Sequence, residues 1–189
     1  MNLDKKTTAE EVNSVDSNET PISNLQQKLN EDLFEFINTE DQRLTWDSYF
    51  MSISVLAAKR SSCSRLHVGC VIVKNNRILT SGYNGFLRGA PHVSRVANGH
   101  EQFTVHTEQN AICDAAFRGV PLENSIAYVT HCPCINCMKL LIAAGISEIK
   151  YLHDYKIDEL ATTMVLENRI KSTKLSRTKS VSYKHLRAK

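Results

Sequence analysis

The sequence lacks any long hydrophobic run. No stretch approaches the ~18–20 consecutive apolar residues that cross a bilayer, so we expect no membrane association. The opening residues, MNLDKKTTAEEVNS, contain no apolar core of the kind that a secretory signal needs. We therefore expect an intracellular, cytoplasmic protein, in which thiols stay reduced and the six cysteines form no disulfides.

Acidic residues are absent from residue 169 onward, where the chain reads RIKSTKLSRTKSVSYKHLRAK. A basic tail can attract polyanions, but it is more commonly a solvated terminus, so nucleic acid is not the expected partner. Residues 1–41 are acidic and polar, and the first twenty or so are predicted to be disordered. The domain is therefore expected at 42–168, between an N-terminal extension (1–41) and a basic tail (169–189).

The middle of the chain has the pattern of a mixed α/β domain. WDSYFMSISVLAAKR predicts a helix, with one face formed by Tyr49, Phe50, Ile53, Leu56 and Ala57. VGCVIVK and RILTSGYN flank the turn Asn75-Asn76 and predict an antiparallel hairpin. The segments TEQNAICDAAFR, SIAYVTH, CINCMKLLIAAG, SEIKYLHDY and IDELATTMVLENRI then alternate between helix and strand. This alternation predicts a partly parallel sheet covered by helices on both faces.

A second Cys-x-x-Cys pair is also missing. Cys134 and Cys137 stand three apart in the first turn of a predicted helix, where unpaired N–H groups favour thiolates. A structural zinc site needs four ligands, which this pair cannot complete alone. A redox pair is an alternative, but it would leave the neighbouring histidine and glutamate motif unexplained. The other cysteines are expected to be small buried side chains: Cys63, Cys70, Cys113 and Cys132, the last pointing away from Cys134 at the end of a strand.

The best third ligand is His106 in VHTEQN, because it too opens a helix. Glu108 follows two residues later. His-x-Glu followed by Pro-Cys-x-x-Cys is the signature of zinc-dependent nucleobase deaminases. Three protein ligands leave a fourth zinc position for water, and Glu108 is suited to take a proton from that water and deliver protons to the ring nitrogen and the departing ammonia.

Several segments resemble the deoxycytidylate (dCMP) deaminases of the cytidine deaminase superfamily: RSSCSRLHVGCVIVKNNRILTSGYNG, HTEQNAI and PCINCMKLLIAAGISEIKYLHDY. The resemblance runs from about Ser48 to Tyr155. It implies a three-layer α/β/α cytidine deaminase-like fold with a mixed central sheet, a catalytic Zn²⁺, and hydrolysis of dCMP to dUMP and ammonia for thymidylate synthesis. Many relatives are homohexamers that dCTP activates and dTTP inhibits, which implies Mg²⁺ with an allosteric nucleotide.

The resemblance also implies roles for individual residues. Asn84 is expected to reach the sugar hydroxyl, and the backbone N–H of Thr107 to meet the pyrimidine carbonyl. Tyr155 is expected either to pack over the base or to cap the sheet. An allosteric nucleotide site is expected to include Tyr83 and Gly85. Separately, donors suited to a phosphate precede the first strand: Arg60, Ser61 and Arg65.

The chain departs from the family pattern at several positions. Thr107 stands where alanine is usual, so substrate preference stays open. Val93 stands where many relatives have cysteine, which argues against a second zinc, and His92 and His100 are expected to be ordinary polar loop residues. The alternatives are a deaminase of dCTP, CMP or cytidine, a nucleic-acid-editing deaminase, and a non-catalytic zinc module. Glu108 argues against the last of these.

Overall fold

A computed structural model describes Gln27, Glu31 and residues 43–97, 100–155 and 159–175. The predicted disorder of the first twenty residues lies outside the described residues, as does the chain after residue 175. Between residues 43 and 175, the helices are α1 (Trp46–Ala58), α2 (Thr107–Arg118), α3 (Ile135–Ala143) and α4 (Glu159–Glu167). The strands are β1 (Gly69–Lys74), β2 (Arg77–Tyr83), β3 (Gly85–Phe86), β4 (Val96–Ala97), β5 (His100–Glu101), β6 (Thr104–Val105), β7 (Ser125–His131), β8 (Ile146–His153) and β9 (Lys171–Lys174).

The main sheet has five strands in the order β2-β1-β7-β8-β9. β1 pairs antiparallel with both β2 and β7, whereas β7, β8 and β9 run parallel. The predicted mixed sheet is therefore confirmed. The predicted hairpin is also confirmed, since Asn75 and Asn76 connect β1 to β2 with φ values of 52° and 57°. Asparagine tolerates this left-handed conformation better than most residues, which suits a two-residue hairpin turn.

The main sheet extends into the stretch 169–189 that is predicted as a basic tail. β9 pairs in parallel with β8 from Lys171 to Lys174 and forms the edge of the sheet. Its sequence, KSTK, has no apolar residue and three of its four side chains are exposed. Backbone hydrogen bonding to β8 therefore supplies the strand, and hydrophobic alternation gives no signal for it.

Helices cover both faces of the sheet. On one face, α1 packs Phe50, Met51, Val55 and Ala58 against side chains of β1, β7 and β8. The opposite face is covered by α2, α3 and α4, whose buried side chains meet Cys70, Ile72, Ala127, Val129 and Ile149. The three-layer α/β/α prediction is confirmed. In the described part of the chain, no helix is both long enough and apolar enough to cross a membrane.

The predicted buried face of α1 is wrong in part. Tyr49 and Leu56 are 43% and 51% exposed, while Ser54 is completely buried. A Cβ atom on Gly69 would lie only 1.9 Å from the carbonyl oxygen of Ser54, so the helix backbone approaches β1 very closely. The closest approach of α1 to β1 therefore runs along two small residues, Ser54 and Ala58, which hydrophobic spacing alone does not reveal.

Candidate active site

The two helices that carry the predicted metal ligands begin close together. His106 immediately precedes α2, and Cys134 immediately precedes α3 after the short connection from β7. Gly82 allows the first turn of α2 to lie against β2, since a Cβ there would be 2.4 Å from the carbonyl oxygen of Thr107. The Nδ1 atom of His106 lies 3.7 Å from Cys134 Sγ and 3.4 Å from Cys137 Sγ.

These three side chains fit a zinc ion. Their ligand atoms all lie within 4.8 Å of one another. Zn–S bonds of ~2.3 Å and Zn–N bonds of ~2.0–2.1 Å at a tetrahedral angle place sulfur and nitrogen about 3.6 Å apart. The two measured sulfur–nitrogen distances, 3.7 Å and 3.4 Å, bracket that value. His106, Cys134 and Cys137 would thus hold zinc as three of its four ligands.

The two thiols are electrostatically poised for a cation. A hydrogen bond with Cys137 lowers the pKa of Cys134 to about 3, and the same contact raises the pKa of Cys137. The pair therefore retains one proton when it is metal-free, and a divalent cation would displace it. The contact with Cys134 also raises the pKa of His106, as expected beside an anionic sulfur.

Glu108 lies in the first turn of α2 and is 4% exposed. Burial raises the pKa of its carboxyl group. Burial destabilises the ionised form, so this carboxyl group holds a proton more readily than a solvated one. The start of α2 therefore places a buried carboxyl group two residues after His106.

A cavity of about 730 Å³ opens beside these residues. His106, Glu108 and Cys134 contribute to its lining, together with Thr107 and Tyr155. Loop segments contribute further residues: Arg65, Leu66 and Val68 before β1, Asn84 between β2 and β3, and Glu101 and Gln102 in the connection between β3 and α2. A volume of this size suits a small organic ligand.

Asn84 lines the cavity, but its amide also stabilises the loop before β1. Its Oδ1 accepts a hydrogen bond from the backbone N–H of Val68 at 2.8 Å. Its Nδ2 donates to the carbonyl oxygen of Leu66 at 2.7 Å. One N–H and one lone pair of the amide remain available to a ligand.

The three predicted phosphate donors differ in their position relative to the cavity. Arg65 lines the cavity, whereas Arg60 and Ser61 do not appear in its wall. The Ser61 hydroxyl donates to the carbonyl oxygen of Asn84 at 2.7 Å and accepts from the backbone N–H of Cys63. Ser61 therefore holds the loop in place. Among the described residues that line the cavity, Arg65 is the only lysine or arginine.

Thr107 and Tyr155 both lie in the cavity wall. Thr107 is 1% exposed, and its Oγ1 has no hydrogen-bond partner among the described residues. Tyr155 is half-buried, and its ring meets the ring of His131 edge-on at 6.5 Å. Its place in the wall favours contact with a ligand over a purely structural cap.

The residues predicted for an allosteric site, and the two histidines expected to be ordinary polar loop residues, are not among the cavity residues. Neither Tyr83 nor Gly85 is in the cavity wall; Gly85 pairs with Val105, and the carbonyl oxygen of Tyr83 accepts from Asn110. His92 stacks on Phe86 at 5.2 Å and belongs to no metal-binding cluster of described residues. The side chain of His100 is outside the described residues.

Two of the four remaining cysteines differ from prediction. Cys63 and Cys70 are buried, as expected, but Cys113 is exposed because it faces solvent on α2. Cys132 was expected to point away from Cys134 as the end of a strand. β7 ends one residue earlier, at His131, and Cys132 lies in the same cavity wall as Cys134.

Glu101 and His131 are among the cavity residues that sequence reasoning missed. The Glu101 carboxylate accepts hydrogen bonds from the backbone N–H groups of Arg95 and Phe103 and from the Ser94 hydroxyl. These bonds lower the pKa of Glu101 and organise the connection between β3 and α2. No sequence motif marks either residue, although His131 lies three positions before Cys134.

Comparisons with known proteins agree with this site. The model of the cytidine and deoxycytidylate deaminase zinc-binding region matches residues 44–153. ComE operon protein 2 of Bacillus subtilis is 43% identical over 119 residues, which are 61% of this chain and 63% of that protein. Deoxycytidylate deaminase of Saccharomyces cerevisiae is 38% identical over 130 residues, which are 62% of this chain and 40% of that protein. The chain thus spans less than two thirds of the length of these curated relatives.

A solved structure of a deaminase also matches this chain. The dCMP deaminase of cyanophage S-TIM5, in complex with dCMP and dUMP, superposes with a TM-score of 0.61 at 29% identity. The match covers 67% of this chain and 94% of the phage protein. Because the zinc-binding family model spans more than half of the sequence and includes all three clustered ligands, the chain belongs to the cytidine and deoxycytidylate deaminase family.

Proposed function

We propose that this protein hydrolyses dCMP to dUMP and ammonia. The observation that carries the proposal is the placement of the buried Glu108 carboxyl beside the His106, Cys134 and Cys137 trio, in the wall of a cavity large enough for a nucleotide. A structural zinc site has no use for a buried acid at this place. Relatives named deoxycytidylate deaminase, at 36–38% identity, support the choice of substrate.

The chemistry requires water to add to the ring carbon that bears the amino group. A bound zinc would supply Lewis acidity, which lowers the pKa of water from ~15.7 toward neutrality. Glu108 takes one proton from the water and delivers it to the ring nitrogen, since its raised pKa lets it hold that proton. Glu108 then transfers the second proton to the amino group, and ammonia leaves as the carbonyl forms.

The remaining side chains of the cavity would hold the nucleotide. We assign Arg65 to the phosphate, because it is the sole lysine or arginine among the described wall residues. The free N–H and lone pair of the Asn84 amide suit a sugar hydroxyl. The backbone N–H of Thr107 and the ring of Tyr155 are proposed to contact the base.

A substrate panel tests the proposal. Purified protein loaded with zinc would be offered dCMP, CMP, dCTP, deoxycytidine, cytidine and single-stranded DNA, while ammonia release and the uracil product are measured. We expect the highest kcat/KM with dCMP. Activity on DNA alone would contradict the proposal and favour an editing enzyme, whereas inactivity on every substrate despite bound zinc would favour a non-catalytic zinc module.

We also propose that the protein is a homo-oligomer, with a hexamer favoured, and that dCTP with Mg²⁺ and dTTP regulate it. The support is the family pattern together with exposed apolar side chains on the outer face of α1, namely Trp46, Tyr49 and Leu56. Analytical ultracentrifugation would give the oligomeric state. The dCMP saturation curve would be measured with and without each nucleotide, and superimposable curves would contradict regulation through a site at Tyr83 and Gly85.

A further inference from the structure

We propose that His131 is a substrate-binding residue of this cavity, whose Nε2–H donates a hydrogen bond to an oxygen acceptor of the bound nucleotide. The inference rests on the proposed function, since it concerns the same cavity. It assigns a role to a side chain that belongs neither to the ligand trio nor to the acid–base machinery.

His131 lies at the cavity because of its place at the end of β7. It is the last residue of β7, immediately before the connection that leads to Cys134. The residue lines the cavity together with Cys132 and Tyr155, although it is only 4% exposed. The His153 ring packs beside it from β8, with ring centroids 5.1 Å apart.

Contacts on the other side of the ring determine which nitrogen carries the hydrogen. The backbone N–H of Gly69 donates to Thr130 Oγ1 at 3.2 Å, and Thr130 Oγ1 lies 3.0 Å from His131 Nδ1. Thr130 is completely buried, so its O–H must find an acceptor within the protein, and Nδ1 is in reach. Nδ1 therefore accepts, and the neutral ring carries its hydrogen on Nε2.

The ring stays neutral at physiological pH. Burial, with a smaller contribution from His153, lowers the pKa of His131 to about 3. Nε2 is buried from solvent and has no hydrogen-bond partner among the described residues. A buried donor without an acceptor is costly, and an oxygen atom of a ligand in the cavity would remove that cost. A site built on such a donor discriminates strongly against ligands that lack the matching acceptor.

Equilibrium binding of dUMP tests this role without turnover. His131→Leu keeps a similar volume and removes the donor, whereas His131→Gln retains an N–H group. We expect Leu to weaken dUMP binding by roughly tenfold to a hundredfold and Gln to weaken it less, with zinc content unchanged in both. His92→Leu is the matched control, because His92 is exposed and lies outside the cavity wall, and it should bind dUMP as the parent does.

The source of the acceptor oxygen is distinguished by a second ligand. If the loss caused by His131→Leu is the same for dUMP and deoxyuridine, the acceptor belongs to the base or the sugar. If only dUMP is affected, the acceptor is the phosphate. Either result supports the inference, whereas unchanged binding of both ligands would overturn it.

The tautomer gives an independent readout. Nitrogen-15 NMR of the parent should show His131 with its hydrogen on Nε2, and that resonance should shift when dUMP is added. Thr130→Val should disturb the tautomer, while Thr130→Ser, which keeps the hydroxyl, should preserve it. A hydrogen on Nδ1 in the parent would overturn the inference even if a variant failed to fold.

The outcomes separate this inference from the proposed function. A parent protein that deaminates no cytosine nucleotide, but whose dUMP binding still depends on His131, would refute the function and keep the binding role. A parent that deaminates dCMP and whose His131→Leu variant has unchanged KM and dUMP affinity would keep the function and refute the binding role.

Discussion

The two sides of the cavity are built in different ways. His106, Glu108, Cys134 and Cys137 lie at the beginnings of α2 and α3, where helix geometry and packing against the sheet set their positions. The loop side, which is the part of the lining that comes from loop segments, depends for its shape on side-chain hydrogen bonds such as those of Asn84 and Glu101. Under the proposed function, the helix starts carry the reactive groups and the loops bind the rest of the ligand.

The difference predicts that changes on the helix side abolish the reaction, while changes on the loop side alter affinity. The helix side should show the largest effect when a metal ligand is removed. Cys137→Ala leaves only two of the three ligands, so we expect bound zinc to fall to a small fraction of that in the parent and activity to become undetectable. Elemental analysis of the purified variant checks this, with the exposed Cys113→Ala as the matched control. Full zinc content in Cys137→Ala would refute the ligand assignment.

On the helix side, Glu108→Gln should impair proton transfer but leave metal binding intact. Glutamine keeps the shape but cannot accept a proton, so we expect kcat to fall by about 10²–10⁴-fold with zinc content unchanged. Steady-state kinetics and elemental analysis measure the two quantities together. The control is Glu167→Gln, an exposed residue at the end of α4. A kcat within about tenfold of the parent would remove Glu108 from the acid–base role.

On the loop side, Arg65 and Arg60 form a matched pair. Both were predicted to bind phosphate, but only Arg65 lines the cavity. Arg65→Ala should raise KM for dCMP by roughly tenfold to a hundredfold, because a charge-assisted hydrogen bond is lost, while deoxycytidine kinetics stay the same. Arg60→Ala should change neither. Equal effects of the two substitutions on dCMP would show that the phosphate is recognised elsewhere.

His131, the last residue of β7, should make stability depend on pH. Its pKa is lowered to about 3 in the folded protein, so the unfolded state binds more protons below pH ~6.5 and stability falls as pH decreases. Between pH 7.5 and 5.5, the parent should lose about 1.4 kcal/mol of unfolding free energy relative to His131→Leu. Denaturant titrations at both values measure this difference, and parallel pH profiles would contradict the buried neutral ring.

Thr107 should give the smallest effect. Its buried Oγ1 has no partner among the described residues, so Thr107→Ala removes an unpaired polar group. We expect the free energy of unfolding to stay the same or rise by about 1 kcal/mol. Denaturant titration measures it, with the exposed Thr163→Ala as a control. A large loss of stability would mean that the hydroxyl has a partner after all.

Local sequence patterns were sufficient to predict much of the secondary structure. The hairpin with its Asn75-Asn76 turn, the strand Ser125–His131 and the two helix starts at His106 and Cys134 were all predicted from short-range signals. These signals work because turn conformation, side-chain alternation and helix capping are decided by neighbouring residues. The three zinc ligands were also predicted from the sequence, because their motifs match a known signature.

Other features depend on residues distant in sequence. β9 exists because β8 offers a free edge, and its polar sequence gives no hydrophobic signal. The buried face of α1 is displaced because Gly69 lets the helix backbone approach the sheet. Cys132, expected to point away from Cys134, instead lines the same cavity as Cys134.

The sequence by itself determined the family signature and which residue types could bind zinc and carry protons, since these follow from side-chain chemistry and spacing. Only the tertiary structure decided that Arg65 lines the cavity while Arg60 does not, and that Ser61 supports the loop. It also brought Thr130 and Gly69 together, which sets the tautomer of His131. The physical reason is that a hydrogen bond or a cavity wall requires atoms from several distant segments to meet, and a linear pattern does not encode those distances.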